Sequence, residues 1–150
     1  MLQFAVLLHL LGFALWLGGA LASMVVGITS RSEPPESFAT VARLQSAITS
    51  RLVAPGAALV LLTGLVLTAK VYPGAAMAQA SLWVFVMQAT GAIGALVVLF
   101  VALPTAKKLA RLDPVGETAP LFHLLRKRQS LVGSIAGVLA LVALVAAVLA

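Results

Sequence analysis

His9 lies inside an uncharged apolar run, where an imidazole is costly unless its nitrogens are bonded. Three uses are open to it. It can bond to a backbone carbonyl or a Ser/Thr hydroxyl on a neighbouring helix, it can serve as an axial ligand to haem iron or another metal, or it can relay protons. Gly12, Trp16, Gly19 and Ser23 follow at intervals of four, three and four after an initial step of three, which places all five residues on one helix face. The glycines allow another backbone to approach closely. Trp16, at mid-run on the same face, can pack on a flat ligand or fill the interior. A second group is Met87 and Gln88, in a later apolar run. A Met thioether can ligate haem iron or Cu(I), and it can equally fill gaps in a core. Gln88 and Thr90 are candidates to satisfy His9 or a porphyrin propionate. Gly91, Gly94 and Ala95 form a close-packing face, and Gly133-x-x-x-Gly137 is a small-residue packing motif. Thr63 and Thr68, on either side of Gly64, are expected to bond back to their own helix.

Other chemistries are excluded by residue type. The four acidic residues, Glu33, Glu36, Asp113 and Glu117, all fall between the apolar runs, so no paired-carboxylate chemistry can operate inside them. No Ser-His-Asp set can be assembled within a run. There is no cysteine, which excludes thiolate-held zinc, iron–sulfur clusters and thiolate-ligated haem. An ion-driven transporter would normally carry an intramembrane carboxylate or Lys, and neither is present.

The elements that position these residues are apolar helices. Hydrophobic residues make up 62% of the 150-residue chain and charged residues 9%, and the mean hydropathy is +1.14. A soluble domain carries about 25% charged residues, so a soluble enzyme and an ordinary nucleic-acid-binding domain are excluded despite a net charge of +6. Four runs, about 2–28, 52–69, 80–106 and 131–150, are each long enough to cross a bilayer. The first is read as a span rather than a cleaved leader, because no Lys or Arg precedes it. The fold class is therefore all-α: one integral-membrane four-helix bundle with the lipid bilayer as its principal partner.

Nine of the ten Lys and Arg residues lie in the first and third loops and their margins: Arg31, Arg43, Arg51, Lys107, Lys108, Arg111, Arg126, Lys127 and Arg128. The positive-inside rule puts these loops in the cytoplasm and both termini outside. His9 is then roughly two turns below the outer surface, with Met87 at similar depth. Tyr72 and Trp83 fall where an outer aromatic belt belongs. Ser32-Glu33-Pro34-Pro35-Glu36 reads as a helix start capped by Ser32, and Phe38, Val41, Leu44, Ile48 and Leu52 recur at helical spacing. This predicts an amphipathic helix leading into the second span, on the membrane surface or under the bundle, with a kink at residues 54–56. Asp113-Pro114-Val115-Gly116 predicts a turn. His123 is expected to be solvated, and the bases beside it are suited to anionic lipid or a haem propionate.

The first run reads His9-Leu-Leu-Gly12-Phe-Ala-Leu-Trp16-Leu-Gly18-Gly19. It resembles the H-x-x-x-x-x-x-W-x-G-G pattern in the first helix of small membrane proteins of the CopD copper-resistance and HemJ-type protoporphyrinogen oxidase group. Arg51-Leu52, Pro55 and Thr63-Gly64-Leu65 are similar to the pattern entering that group's second helix. Trp83 and Arg128-Gln129 match positions near its third and fourth helices. The resemblance implies a four-helix bundle holding haem b, with His9 as ligand and Gly12, Trp16 and Gly19 shaping its pocket. Met87 stands where that group has a Lys, and no second His lies in a span. A His9/Met87 haem, a five-coordinate haem and one shared between copies all remain open.

The expected function is thus a haem-b-binding membrane protein with a redox or haem-related role. The alternatives are an accessory subunit of a larger membrane complex and a copper or small-solute permease, against which stands the scarcity of His and Met on the outer side, where only Met1, His9, Met77 and Met87 fall. The bacterial inner membrane is the expected location, with a homo-oligomer or larger complex as the expected state.

Overall fold

A computed structural model describes residues 2–150; Met1 lies outside the described residues. Every regular element among them is helical. Helix α1 covers Leu2–Thr29, α2 Phe38–Ile48, α3 Ala54–Val71, α4 Leu82–Val97, α5 Leu103–Leu109 and α6 Ala119–Leu149. Four continuous helical stretches, Leu2–Ser32, Pro35–Val71, Leu82–Leu109 and Gly116–Leu149, are long and apolar enough to cross a membrane.

The stretches pack as two close pairs, α1 with α3 and α4 with α6, and α3 against α4 joins them. Small residues set the closeness. At the centre, Trp16 sits 1% exposed among Ala57, Ala95, Ala140 and Val98, all near-fully buried. Large apolar side chains such as Leu10, Leu62, Phe100 and Val148 point outward instead. An outward apolar surface around a small-residue interior is what lipid as solvent selects.

Two stretches contain an interruption of the same design. Residues Thr49–Val53 and Val98–Ala102 form π-turns, closed by bonds from Ala54 N–H to the Thr49 carbonyl and from Leu103 N–H to the Val98 carbonyl. Each lies just before a proline, Pro55 or Pro104. A proline ring clashes with the carbonyl four residues back and offers no N–H to it. One wider turn moves that carbonyl aside and lets the helix continue. The disturbance expected at residues 54–56 lies just before them instead, as the π-turn at Thr49–Val53, and the apolar run 80–106, read as uninterrupted, holds a second.

The amphipathic segment packs under the bundle. Ala42 and Phe38 join Leu109, Phe122 and Leu125 in a second small core, and Gln45 Nε2 donates to the Ser23 carbonyl of α1 at 3.0 Å. Ser32 does not cap this helix. It ends a short 3₁₀ turn, Ser30–Ser32, and the helical stretch restarts at Pro35, with Ser37 Oγ bonded to the Pro34 carbonyl at 2.7 Å. The turn at residues 113–116 is present. Gly116 has φ +82°, and Thr118 Oγ1 bonds both the N–H and the carbonyl of Asp113.

Contact between Ser30 and Arg126, together with packing of α2 on α5, puts the first and third loops at one end of the bundle. Nine of the ten basic residues belong to that basic end, and Lys70 belongs to the other.

Candidate functional site

His9 is half-buried on the inner side of α1, towards the end opposite the basic one. Its Nδ1 lies 2.9 Å from Thr63 Oγ1 on α3. The Thr63 hydroxyl also contacts the Leu59 carbonyl four residues back, with the Val60 carbonyl at 3.4 Å. A carbonyl can only accept, and a hydroxyl has one proton to give. With that proton directed to Leu59, the proton in the His9–Thr63 bond comes from Nδ1. In a neutral ring this leaves the lone pair on Nε2, which has no hydrogen-bond partner among the described residues. Gly64 lies beside this ring: a Cβ there would be in van der Waals contact with His9 Cε1, at 3.4 Å.

A short polar chain continues beside it. Gln88 Nε2 on α4 donates to Thr68 Oγ1 at 3.0 Å, and Thr68 donates to the Gly64 carbonyl at 2.9 Å. Gln88 therefore binds Thr68 rather than His9. Thr90 bonds back to the Val86 carbonyl at 2.7 Å and is not a His9 partner either. The residue that does satisfy His9 is Thr63. Sequence reading assigned it only a bond to its own helix; it makes both.

The remaining expected site residues separate. Gly12 faces α3: a Cβ there would meet the Gly56 carbonyl and Leu59 Cβ at 3.0 Å each. Gly19 faces the π-turn that leads into α3, with Val53 Cγ2 2.7 Å from the same hypothetical atom. Trp16 is pressed against Gly94, where a Cβ would lie 3.0 Å from its Cη2, and its buried Nε1 has no partner. These three positions are filled by helix packing and leave no chamber of their own beside His9. Met87 is half-buried on α4. Among the described residues, no group of three His, Asp or Glu side chains gathers as a metal cluster. Thr63 also lines an open apolar groove of about 540 Å³ between α1 and α3, with Phe4, Ala5, Leu8, Leu62 and Val66.

Gly91 and Gly94 face α6, near Ala143 and Leu139. Among the described residues, nothing lies within 4 Å of where a Cβ on Gly133 or Gly137 would be. Trp83 is 42% exposed and Tyr72 half-buried at the end away from the basic loops. His123 is exposed, edge-on to Phe122 at 5.8 Å.

The arrangement can therefore offer one donor nitrogen of fixed tautomer, oriented by a hydroxyl behind it. That is the usual construction around a metal-ligating His, whose second nitrogen donates to a protein acceptor. Thr63→Val removes the acceptor at nearly constant volume. Were His9 a haem ligand, this would weaken haem binding about 10–100-fold, the usual cost of losing such a partner, while Thr63→Ser would retain it; haem titration of the apoprotein checks both. Equal affinity of Thr63→Val and wild type would show that the hydroxyl does not orient a ligand. No protein-family model, curated protein or solved structure matches this chain.

Proposed function

We propose that this chain is an integral-membrane helical bundle that binds haem b through His9 Nε2 and serves a redox or haem-related role. The observation that carries the reading is the unpartnered Nε2 of a half-buried His whose Nδ1–H is anchored to Thr63. A polar atom left open within an apolar span is costly unless a ligand takes it. The first-helix resemblance to the CopD and HemJ-type group points the same way. The residues fit one axial position. They do not fit an enclosed two-ligand chamber within one chain, because Gly12, Trp16 and Gly19 are committed to packing. When bound, haem would supply one-electron chemistry. The protein's part is to hold a neutral imidazole in one tautomer and keep water from it with apolar side chains.

A purified sample from a haem-replete host, examined oxidised and dithionite-reduced, tests the proposal. A Soret band that sharpens on reduction is expected, and a colourless protein would overturn it. The second reading is an accessory subunit of a larger membrane complex. It is favoured by the open Gly133/Gly137 face, which suits a helix of another chain. A colourless protein that co-purifies with other membrane proteins would favour it.

The proposed location is the bacterial inner membrane, with the basic end cytoplasmic and both termini outside. A reporter active only in the cytoplasm, fused after Ala150, is expected to be silent. A strong signal would reverse the orientation.

A further inference from the structure

We propose that Arg31, Arg126 and Ser30 form a binding site for the phosphate of an anionic phospholipid at the basic end, a site independent of the haem reading. Arg126 lies on α6, five residues before the apolar run that opens at Leu131. Arg31 lies two residues past the end of α1 and three after Ile28. Both are thus at the depth where a bilayer changes from acyl chain to headgroup.

Arg126 is held in place without a carboxylate. Its guanidinium stacks on the Phe38 ring, with Cζ 3.9 Å from the centroid, and Nη2 is 3.5 Å from the Ser30 hydroxyl, which itself bonds the Gly27 carbonyl at 3.1 Å. Burial, and then the positive charge of Arg31, lower its pKa from the ordinary arginine value. The charge acting on this half-buried cation is therefore another cation. Bringing two like charges together in a partly desolvated place is unfavourable, and an anion between them reverses the sign. Gln129, one turn further along α6, has a buried Oε1 with no partner, so the polar layer at this end is incomplete within the chain.

The group that matches is a phosphodiester. Its oxygens accept from two planar guanidiniums in the forked geometry Arg provides. A lipid source is favoured over free phosphate by the surroundings. Ile28 is 53% and Leu131 62% exposed immediately on the apolar side, where acyl chains would lie. Phe38 supplies an apolar floor.

Native mass spectrometry of the full chain in detergent tests this with phosphatidylglycerol, phosphatidylcholine and inorganic phosphate as probes. Retention of phosphatidylglycerol at least tenfold above phosphatidylcholine is expected. It should fall at least tenfold in Arg31→Gln and in Arg126→Gln, and stay unchanged in Lys127→Gln, whose side chain is exposed on the same helix. Arg126→Lys keeps the charge but not the planar stack, and is expected to show a partial loss even if Arg126→Gln fails to fold. Inorganic phosphate binding at the same residues without lipid retention would overturn the lipid assignment. Equal loss in Lys127→Gln, or no loss in either Arg variant, would show a diffuse surface charge and overturn the site.

Discussion

Replacing His9 with Ala is expected to abolish bound haem and leave the bundle folded. The side chain makes one hydrogen bond, to Thr63, and such a bond is worth about 1 kcal/mol. The ring lies beside Gly64 rather than in the central core around Trp16, so its loss opens no cavity among the buried alanines. Thr63 is not orphaned, because its hydroxyl keeps the Leu59 carbonyl. A ligand variant that folds separates ligand loss from collapse. Haem per chain from absorbance, and helix content from circular dichroism, are the two readouts. Unchanged pigment in this variant would remove His9 from the site.

The second large effect is expected in stability. At Gly56 the backbones of α1 and α3 are in close contact. A Cβ there would lie 2.6 Å from both the Gly12 carbonyl oxygen and the Trp16 amide nitrogen, and 3.0 Å from Leu15 Cβ. Two of these three neighbours are backbone, which no rotamer change can move. Gly56→Ala must push the helix pair apart, at the roughly 1–3 kcal/mol typical of overpacking or more. It would also disturb the His9–Thr63 bond that this pair carries. Gly133→Ala meets nothing within 4 Å, and is expected to stay within about 0.5 kcal/mol of wild type. Thermal unfolding in detergent, followed by tryptophan fluorescence, compares them directly. Equal midpoints for the two variants would contradict the α1–α3 packing described here.

The four apolar runs, the amphipathic segment before the second span and the turn at 113–116 were legible in the sequence, because length, periodicity and turn chemistry each act locally. The bond from His9 to Thr63 was not. Which hydroxyl faces His9 depends on how α3 is rotated about its own axis. In a helix that is apolar on every side, lipid-facing and inward-facing positions look alike. The same ambiguity hides in the sequence that Gly12 packs on α3 and Gly19 on the π-turn before it, and leaves Gln88 and Thr90 equally able to reach His9. Gly133-x-x-x-Gly137 shows the converse. Its spacing announces a close approach, yet among the described residues nothing lies within 4 Å of a Cβ placed on either glycine. The π-turn before Pro104 escaped notice because Leu and Val surround it and no polar residue marks the break. Ser32 looked like a helix cap from its type and its following prolines, but the extended backbone at Glu33 and Pro34 moves the start to Pro35.

The central claim is that Nε2 of His9 is the nitrogen that binds haem iron, and imidazole rescue tests it most directly. His9→Gly leaves a space of the ring's own size beside Thr63 and Gly64. Apoprotein of this variant, given haem in detergent, is expected to remain without a Soret band until imidazole is added, and then to recover the wild-type oxidised and reduced spectra. Wild-type pigment in His9→Gly without imidazole, or a wild-type protein that takes up no haem, would contradict the claim.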